Sequence, residues 1–160
     1  MAYILDANVF IEARNRYYSF LICPGFWNWL ADQAESYGVY SLNAIRAELV
    51  DEELTNWVKH SNKLFKAEDV SRMTDVITWS MVQKTPYDAA RLAEFAACAD
   101  CKLIAHALAT GDTVVTHEKC GGNLRSKVKI PDVCRGLSVP CVDTFKVLEE
   151  LKVRFVLATS

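Results

Sequence analysis

The chain has 160 residues, a formal net charge of −2 and a sequence pI near 5.9. Hydrophobic residues make up 51% and charged residues 24%, which is ordinary for a globular chain with one core, so we expect a single domain over residues 1–160. The charge argues against nucleic-acid binding by a uniformly basic surface, and the lack of a secretory leader or of about 18 consecutive apolar residues predicts a soluble, cytoplasmic protein without membrane contact.

The first predicted strand is short and ends at an acid. Residues 3–5 form a buried apolar run, and Asp6 follows directly, so the strand places this carboxylate at its carboxyl end. Helices are predicted over residues 9–18 and 26–37, the second from its helical spacing of apolar residues. The start of the chain therefore predicts a strand, a candidate functional acid and two helices.

A second strand and a third helix follow Gly38. Residues 39–42 are short, β-branched and aromatic, which is typical of a strand. A helix is predicted over residues 44–54, with Asn43 as its N-cap. This assignment puts Glu48 in the early turns of that helix.

Four helices are predicted in the middle of the chain, over residues 57–65, 68–82, 87–98 and 100–110. A break at Thr85–Pro86 separates the second of these from the third. Asp100 opens the last helix, and Gly111 closes it at the C′ position.

The third predicted strand again carries an acid at its end. Residues 112–116 are β-branched, and Glu118 follows two residues later. The last predicted elements are a short strand, a helical turn and a helix, over residues 128–130, 131–136 and 143–151. The alternation of short apolar strands with helices predicts an α/β fold with a parallel sheet flanked by helices.

Four acids are candidates for one site: Asp6, Glu48, Asp100 and Glu118. Functional groups of an open α/β sheet gather outside the carboxyl ends of its strands, where strand ends and helix starts converge. Four carboxylates brought together repel one another unless cations neutralise them, and Mg²⁺ or Mn²⁺ prefer oxygen ligands. Such a metal polarises a phosphoryl oxygen and lowers the pKa of a bound water, which are the needs of phosphodiester hydrolysis.

Three segments resemble the PIN-domain nucleases, a superfamily typified by the toxins of bacterial and archaeal toxin–antitoxin pairs. Residues 3–11 (YILDANVFI) resemble the opening strand of that family, and residues 41–49 (SLNAIRAEL) its second acidic segment. Residues 100–118 (DCKLIAHALATGDTVVTHE) resemble the stretch in which an acid opens a helix and a strand ends in threonine, any residue, then an acid. The resemblance spans roughly residues 2–150 and is greatest to a PIN-like subgroup with VVTHE and KIPDVC segments.

The resemblance implies a three-layer α/β/α PIN-like domain with a central, mainly parallel sheet and a site that binds Mg²⁺ or Mn²⁺. It implies that the catalytic, metal-binding acids are Asp6, Glu48, Asp100 and Glu118. Asn8 and Thr116 would orient these ligands through hydrogen bonds. The fourth acid is more often aspartate in the wider family, and the longer side chain of Glu118 shifts the metal position.

The implied function is that of a metal-dependent endoribonuclease, the toxin of a toxin–antitoxin pair. Its substrate would be RNA, its partner an antitoxin protein, and its assembly a homodimer, since paired PIN domains are common in the family. Arg14, Arg46 and His117 are the candidates for contact with the RNA backbone, because they lie close in sequence to the proposed acids.

Several alternatives stay open at this point. A catalytically inactive PIN-like module would bind nucleic acid or protein, and a DNA substrate is compatible with a carboxylate–metal site, which does not itself distinguish a 2′-hydroxyl. A small-molecule phosphatase or nucleotide-binding domain is disfavoured because the chain lacks a glycine-rich phosphate loop. Taken alone, Glu48 also fits a solvated helix residue and Asp100 a helix cap.

Two further features have structural explanations. Asp112 follows Gly111 and is expected to be a turn residue rather than a ligand. The six cysteines are expected to be reduced, buried thiols, and the C-x-x-C at residues 98–101 lacks the second pair that a zinc site needs.

Overall fold

The structure is a computed structural model, and it describes residues 1–36, 38–83, 87–121 and 127–159. The predicted break at Thr85–Pro86 and the end of the second predicted helix, Tyr37, lie outside these residues. The strands are β1 (Tyr3–Leu5), β2 (Val39–Leu42), β3 (Phe65–Lys66), β4 (Thr113–Val115) and β5 (Cys141–Val142). Among the described residues, no helix has the length and apolar character needed to cross a membrane.

Nine α-helices connect and follow the described strands. They are α1 (Ala7–Glu12), α2 (Pro24–Ser36), α3 (Asn43–Arg46), α4 (Glu52–His60), α5 (Met73–Met81), α6 (Ala89–Ala97), α7 (Ala99–Thr110), α8 (Ile130–Gly136) and α9 (Thr144–Glu150). A π-helical turn, Ala13–Tyr17, continues α1, and a 3-10 turn, Asn62–Leu64, precedes β3.

The five strands form one sheet in the order β3-β2-β1-β4-β5, and every pair is parallel. Tyr3 of β1 is in register with Val39 of β2 on one side and with Thr113 of β4 on the other. Helices flank this sheet, which confirms the predicted three-layer α/β/α arrangement. Because the strands are parallel, their carboxyl ends all meet at one edge of the sheet.

The core lies between the sheet and its helices. Ile4, Leu42 and Val114 of three neighbouring strands are fully buried, as are Phe10 and Leu103 from the helices. Strands of a parallel sheet are covered on both faces, which explains why they read as continuous apolar runs in the sequence. Each such side chain stabilises the fold by about 1.5–3 kcal/mol relative to exposure.

The prediction of a single helix over residues 44–54 is wrong. The structure has two helices there, because α3 ends at Arg46 and α4 begins only at Glu52. The Asp51 carboxylate accepts hydrogen bonds from the backbone N–H groups of Glu53 and Leu54, at 3.0 and 3.2 Å, and so starts a new helix. Glu48 therefore lies in the turn between two helices and not within one.

Smaller differences occur elsewhere. The helix predicted over residues 57–65 is helical only as far as His60, the end of α4, and its last residue, Phe65, begins strand β3. Strands β3 and β5 were not predicted, because two residues are too few for a period to show. The strand predicted over residues 128–130 is absent from the described part of that segment, because Ile130 opens α8 with Pro131 in its first turn. By contrast, the predicted strand over residues 39–42 is confirmed, and α7 ends at Gly111 with a φ of 81°.

Candidate functional site

The centre of the candidate site is the edge where β1 and β4 end side by side. Leu5 is in register with Val115, so the residues that follow, Asp6 and Thr116, emerge next to each other. The backbone N–H of Asp6 still donates to the carbonyl of Val115 at 3.0 Å. The position of Asp6 is therefore set by strand pairing.

The Asp6 side chain is held at both of its oxygens. Oδ1 accepts a hydrogen bond from the backbone N–H of Ala7 at 2.7 Å, which caps α1, and Oδ2 accepts one from Thr116 Oγ1 at 2.9 Å. Only 4% of the residue is exposed. A buried carboxylate with two fixed donors has one rotamer and a defined direction for its remaining lone pairs.

Thr116 joins the strand ends to the loop that carries the fourth acid. Its hydroxyl accepts hydrogen bonds from Asn8 Nδ2 at 3.0 Å and from the backbone N–H of Glu118 at 3.1 Å. Asn8 Oδ1 in turn accepts from the backbone N–H of His117 at 3.0 Å. Asn8 and Thr116 thus lie directly behind Asp6 and hold the backbone on which Glu118 follows.

Three of the four predicted acids converge. Asp6, Glu48 and Asp100 each offer a carboxylate oxygen, and these atoms all lie within 4.8 Å of one another. Asp100 is the second residue of α7, and Glu48 reaches the same place from the turn after α3. Asp6 is buried, Asp100 half-buried and Glu48 exposed, so the group opens from the core to the surface.

Glu118 lies beside this group but is held differently. Its Oε2 accepts a hydrogen bond from the backbone N–H of Ile130 at 2.9 Å, and its Oε1 lies 2.7 Å from Lys127 Nζ. The same ammonium lies 3.4 Å from Asp100 Oδ2. Glu118 is therefore tied to the start of α8 and linked to the other acids through Lys127.

The pKa values of Asp6 and Glu48 are raised, first by burial and then by the charge of Asp100. Burial and the neighbouring Asp100 carboxylate raise the pKa of Asp6 to about 7, although the hydrogen bond from Thr116 opposes this rise. Burial and Asp100 likewise raise the pKa of Glu48. A site whose carboxylates resist ionisation is one that an added cation would stabilise strongly.

The pKa values of Asp100 and Lys127 reflect the contact between the two groups. Burial raises the pKa of Asp100, Lys127 opposes this rise, and the charge of Glu118 adds to it. Burial alone would lower the pKa of Lys127, but its contacts with Glu118 and Asp100 outweigh burial and raise it. One ammonium thus offsets part of the negative charge of the four acids.

We call the opening formed by these groups the acid cavity. It has a volume of about 360 Å³. It is lined by Asp6, Ala7, Asn8, Ile11, Glu48, Arg91, Glu94, Phe95, Cys98, Asp100, Glu118, Lys127 and Val128. All four predicted acids are among these residues. The volume of the cavity lies in the range of small-molecule and substrate pockets.

Sequence reasoning missed Arg91 and Lys127, the two cations among the described residues that line the acid cavity. Arg91 lies on α6, with its guanidinium 3.0 Å from Glu94. Neither cation stands next to a predicted acid in the sequence, so proximity along the chain could not find them. The available signal was that α6 leads directly into Asp100 at the start of α7.

The three residues predicted to contact substrate, Arg14, Arg46 and His117, do not line the acid cavity. Arg14 pairs with Glu53 at 2.8 Å and with Asp51 at 3.4 Å, near the start of α4. Among the described residues that line the acid cavity, neither Arg14 nor Arg46 appears. His117 lines an adjoining cavity, where its Nε2 lies 2.9 Å from Thr144 Oγ1 and burial lowers its pKa.

Asp112 lies at the other end of β4 and has a structural role. Its Oδ1 accepts a hydrogen bond from the backbone N–H of Ala2 at 2.9 Å, and its Oδ2 accepts one from the Tyr40 hydroxyl at 2.6 Å. It stands just before β4, beside the start of β1. The six cysteines are free, as expected, but only Cys101 and Cys134 are buried, and Cys120 is exposed. Cys98 lines the acid cavity.

The parallel sheet and its connections define the class: the chain has a PIN-like fold. It is similar to VapBC2 from Rickettsia felis, whose crystal structure is bound to a DNA fragment from the promoter of that pair. The identity is 16%, the match covers 89% of this chain and 98% of that chain, and the TM-score is 0.50. It is also similar to PAE2754 from Pyrobaculum aerophilum, with 12% identity over 96% of this chain and 98% of that chain and a TM-score of 0.49. No curated protein matches the sequence significantly.

The chain belongs to the family described as a domain of unknown function (DUF4411), which matches residues 3–155. The resemblance to PIN domains is thus confirmed at the level of the fold. At these sequence identities the solved structures show the fold alone, and the chemistry has to be argued from the site.

Proposed function

We propose that this chain, acting as a single domain, is a metal-dependent endoribonuclease. The observation that carries the proposal is the convergence of Asp6, Glu48 and Asp100, whose carboxylate oxygens lie within 4.8 Å of one another at the carboxyl edge of the sheet. These three acids come from separate parts of the chain and have raised pKa values, so a bound cation would relieve their mutual repulsion.

The donor set fits Mg²⁺ or Mn²⁺. All the candidate ligands are carboxylate oxygens, which hard divalent cations prefer, and the position already accepts a positive charge, because Lys127 Nζ contacts both Asp100 and Glu118. Asp6, Glu48 and Asp100 would hold the cation, and Glu118 would assist. When bound, the cation supplies Lewis acidity that polarises a phosphoryl oxygen and lowers the pKa of an attacking water.

The protein's own residues hold and orient the reacting groups. Thr116 and Asn8 fix the Asp6 carboxylate and the backbone of Glu118, so the ligand geometry is set before substrate arrives. Arg91 and Lys127, on the wall of the same cavity, are placed to contact the phosphate of the substrate. The reaction needs no nucleophilic side chain, since water attacks.

We further propose that the protein is the toxin of a toxin–antitoxin pair, with RNA as its substrate and an antitoxin as its partner. Support comes from the resemblance of the acidic segments to PIN-domain toxins and from the fold shared with VapBC2, which was crystallised on promoter DNA. The six free cysteines suit the reducing cytoplasm, which we propose as its location. A homodimer is the assembly that the resemblance implies.

One observation favours an alternative, a catalytically inactive module that binds nucleic acid or protein. Lys127 contacts Asp100 and Glu118 at 3.4 and 2.7 Å and so offers a permanent internal cation for part of the site. A site of this kind could be stable without metal. The pKa of Asp6 is raised, and that of Glu48 rises although Lys127 opposes the rise, which favours the metal site.

The test is cleavage of a structured RNA pool by the purified protein with Mn²⁺ or Mg²⁺. Parallel reactions contain EDTA or the Asp6→Asn variant, and a single-stranded DNA pool addresses the choice of nucleic acid. Cleavage that disappears in both controls supports the metal nuclease. Intact RNA in every reaction, together with RNA binding that is insensitive to EDTA, would favour the inactive module.

A further inference from the structure

Three aromatic rings, two exposed and one half-buried, form a cluster next to the acid cavity. Tyr17 and Phe145 meet edge to face, with ring centroids 4.9 Å apart, and His117 lies 5.7 and 5.6 Å from them. Tyr17 is 45% exposed and Phe145 is 43% exposed. We call these three side chains the aromatic cluster. Aromatic side chains exposed together in this way present an unused apolar surface to solvent.

The aromatic cluster lines a cavity of about 330 Å³ that adjoins the acid cavity. The residues that line it are Asn8, Glu12, Tyr17, His117, Glu118, Lys119, Asp143 and Phe145. Asn8 and Glu118 line both cavities, so the two cavities adjoin at Glu118, a proposed metal ligand, and at Asn8. A group bound against the rings therefore lies beside the cleavage centre.

Hydrogen bonds hold His117 and the start of the helix that carries Phe145. His117 Nε2 lies 2.9 Å from Thr144 Oγ1, and the His117 backbone N–H donates to Asn8. Asp143 accepts a hydrogen bond from the backbone N–H of Lys146 at 2.8 Å and so caps α9, the helix that carries Phe145. Preorganised rings lose little freedom on binding, which increases the affinity available from stacking.

Phe145 also lines a neighbouring cleft, which has a volume of about 360 Å³. That cleft is lined by Tyr18, Phe145, Leu148, Glu149, Lys152, Val153, Arg154 and Phe155. Lys152 and Arg154 are exposed there. Neighbouring openings share lining residues, so the acid cavity borders the cavity of the aromatic cluster, which in turn borders the cleft with Lys152 and Arg154.

We propose that the aromatic cluster is a stacking subsite for an unpaired base that neighbours the cleaved phosphodiester, and that the following strand continues toward Lys152 and Arg154. This inference rests on the proposed nuclease function and specifies its substrate as single-stranded at that base. Aromatic faces bind bases only when these are unstacked, and cations beyond them suit the phosphate backbone. The carboxylates of Glu12 and Asp143 at the same cavity suit the amino groups of a base edge.

The experiment compares Phe145→Leu with Phe145→Tyr. The first keeps an apolar side chain of similar size but removes the ring, whereas the second keeps the ring. Binding is measured with a short single-stranded RNA that carries 2-aminopurine, whose fluorescence falls on stacking, and Ca²⁺ replaces Mg²⁺ to separate binding from cleavage. Met81→Ala is the control, because Met81 is an exposed apolar side chain that lines none of the three openings.

The expected result is an affinity loss of about 5- to 100-fold for Phe145→Leu, with loss of 2-aminopurine quenching, and near wild-type binding for Phe145→Tyr and Met81→Ala. Thermal unfolding checks that each variant is folded. Unchanged affinity and quenching in folded Phe145→Leu would overturn the subsite and leave the aromatic cluster as a protein-contact surface.

A separate cleavage reaction with Mn²⁺ distinguishes this inference from the proposed function. Wild-type protein that quenches 2-aminopurine but cleaves no RNA would contradict the nuclease and support the stacking subsite. Wild-type protein that cleaves RNA while Phe145→Leu binds and cleaves equally well would support the nuclease and contradict the subsite. Absence of RNA binding by wild-type protein would overturn both.

Discussion

Two clusters of buried polar groups lie at opposite ends of the central strands, and both contain an aspartate beside β1 and β4. At the carboxyl end, Asp6 borders the acid cavity, and burial with repulsion from Asp100 raises its pKa to about 7. At the amino end, burial would raise the pKa of Asp112, but hydrogen bonds from Tyr40 and Ala2 outweigh it and lower the pKa. The two aspartates at opposite ends of these strands thus have pKa values shifted in opposite directions.

The cluster at the amino end is complete in itself. The backbone N–H of Asp69 donates to His106 Nδ1 at 2.8 Å, which leaves the proton of the neutral ring on Nε2. Nε2 then donates to the Tyr40 hydroxyl at 2.9 Å, and that hydroxyl donates to Asp112 at 2.6 Å. Every donor meets an acceptor, so this chain of hydrogen bonds needs no ligand.

The difference shows how a functional cluster can be told from a structural one in this protein. The polar groups of the hydrogen-bond chain at Asp112 pair with one another, whereas the described residues that line the acid cavity include more carboxylates than cations. Surplus charge held in place by strand pairing is costly to the fold unless something outside the chain binds there. Substitutions at either end of the strands should therefore have different effects.

The largest expected effect comes from exchanging the two aspartates separately. Asp6→Asn should lower RNA cleavage by at least about 1,000-fold, since a lost metal ligand removes several kcal/mol of transition-state stabilisation. Asp112→Asn should leave cleavage close to wild type but lower the free energy of unfolding by about 1–3 kcal/mol. Rates of cleavage and urea unfolding curves measure the two effects. The reverse assignment, with activity lost only in Asp112→Asn, would contradict the contrast.

The second effect is on the pH dependence of stability without metal. Because the pKa of Asp6 rises from 3.8 to about 7 on folding, its contribution to stability is fully present below about pH 4 and is lost as the pH rises through about 7. The loss is at most about 4 kcal/mol. Thermal unfolding in EDTA should show it in wild type and not in Asp6→Asn, and Mn²⁺ should restore stability at about pH 8.

His106 should respond to pH in the opposite direction. Burial lowers its pKa, so its contribution is present above about pH 6.5 and is lost as the pH falls through the lowered value. Comparison with Asp6→Asn isolates this term, because that variant retains His106. If Asp6→Asn lost stability toward high pH as wild type does, the assignment of the first term to Asp6 would fail.

A smaller effect is expected from the residue that holds Asp6. Thr116→Val removes the hydroxyl that donates to Asp6 at 2.9 Å and accepts from Asn8. Loss of such a support should lower metal affinity or cleavage by about 10- to 100-fold while the carboxylates remain. Thr110→Val is the matched control, because Thr110 Oγ1 donates to the backbone carbonyl of His106 in the other cluster. Equal activity of both variants would exclude a positioning role for Thr116.

The smallest expected effect is that of Tyr40→Phe. This change removes the hydroxyl between His106 and Asp112 and should lower the free energy of unfolding by about 1 kcal/mol, the usual contribution of one hydrogen bond. RNA cleavage should stay at the wild-type rate. Reduced cleavage at unchanged stability would show that the two clusters are coupled.

Much of the fold could be predicted from the sequence, because its central parts are strongly patterned. Residues 39–42 and α7 with its terminal Gly111 were predicted close to their observed bounds. Edge strands β3 and β5 were not predicted, since two residues carry no period and their pairing depends on neighbours distant in sequence. The split of one predicted helix at Asp51 shows a cap overriding helix-forming residues.

The candidate site was also predictable only in part, because packing brings residues to it that are distant in sequence. Asp6 and Glu118 follow strands directly, so the rule for parallel sheets placed them at one edge. Glu48 was predicted on a helix and reaches the cavity from a turn instead. Arg91 and Lys127 became visible only in three dimensions, because α6 and the start of α8 are brought to the acids by packing and not by sequence proximity.

The most direct measurement of the surplus charge is titration of the metal-free protein with Mn²⁺ in a calorimeter, at about pH 8. Wild type and Asp112→Asn should bind the cation with similar affinity, and Asp6→Asn should bind it far more weakly. Binding that is equal in all three proteins, or absent in wild type, would contradict the claim that Asp6, Glu48 and Asp100 form a cation site.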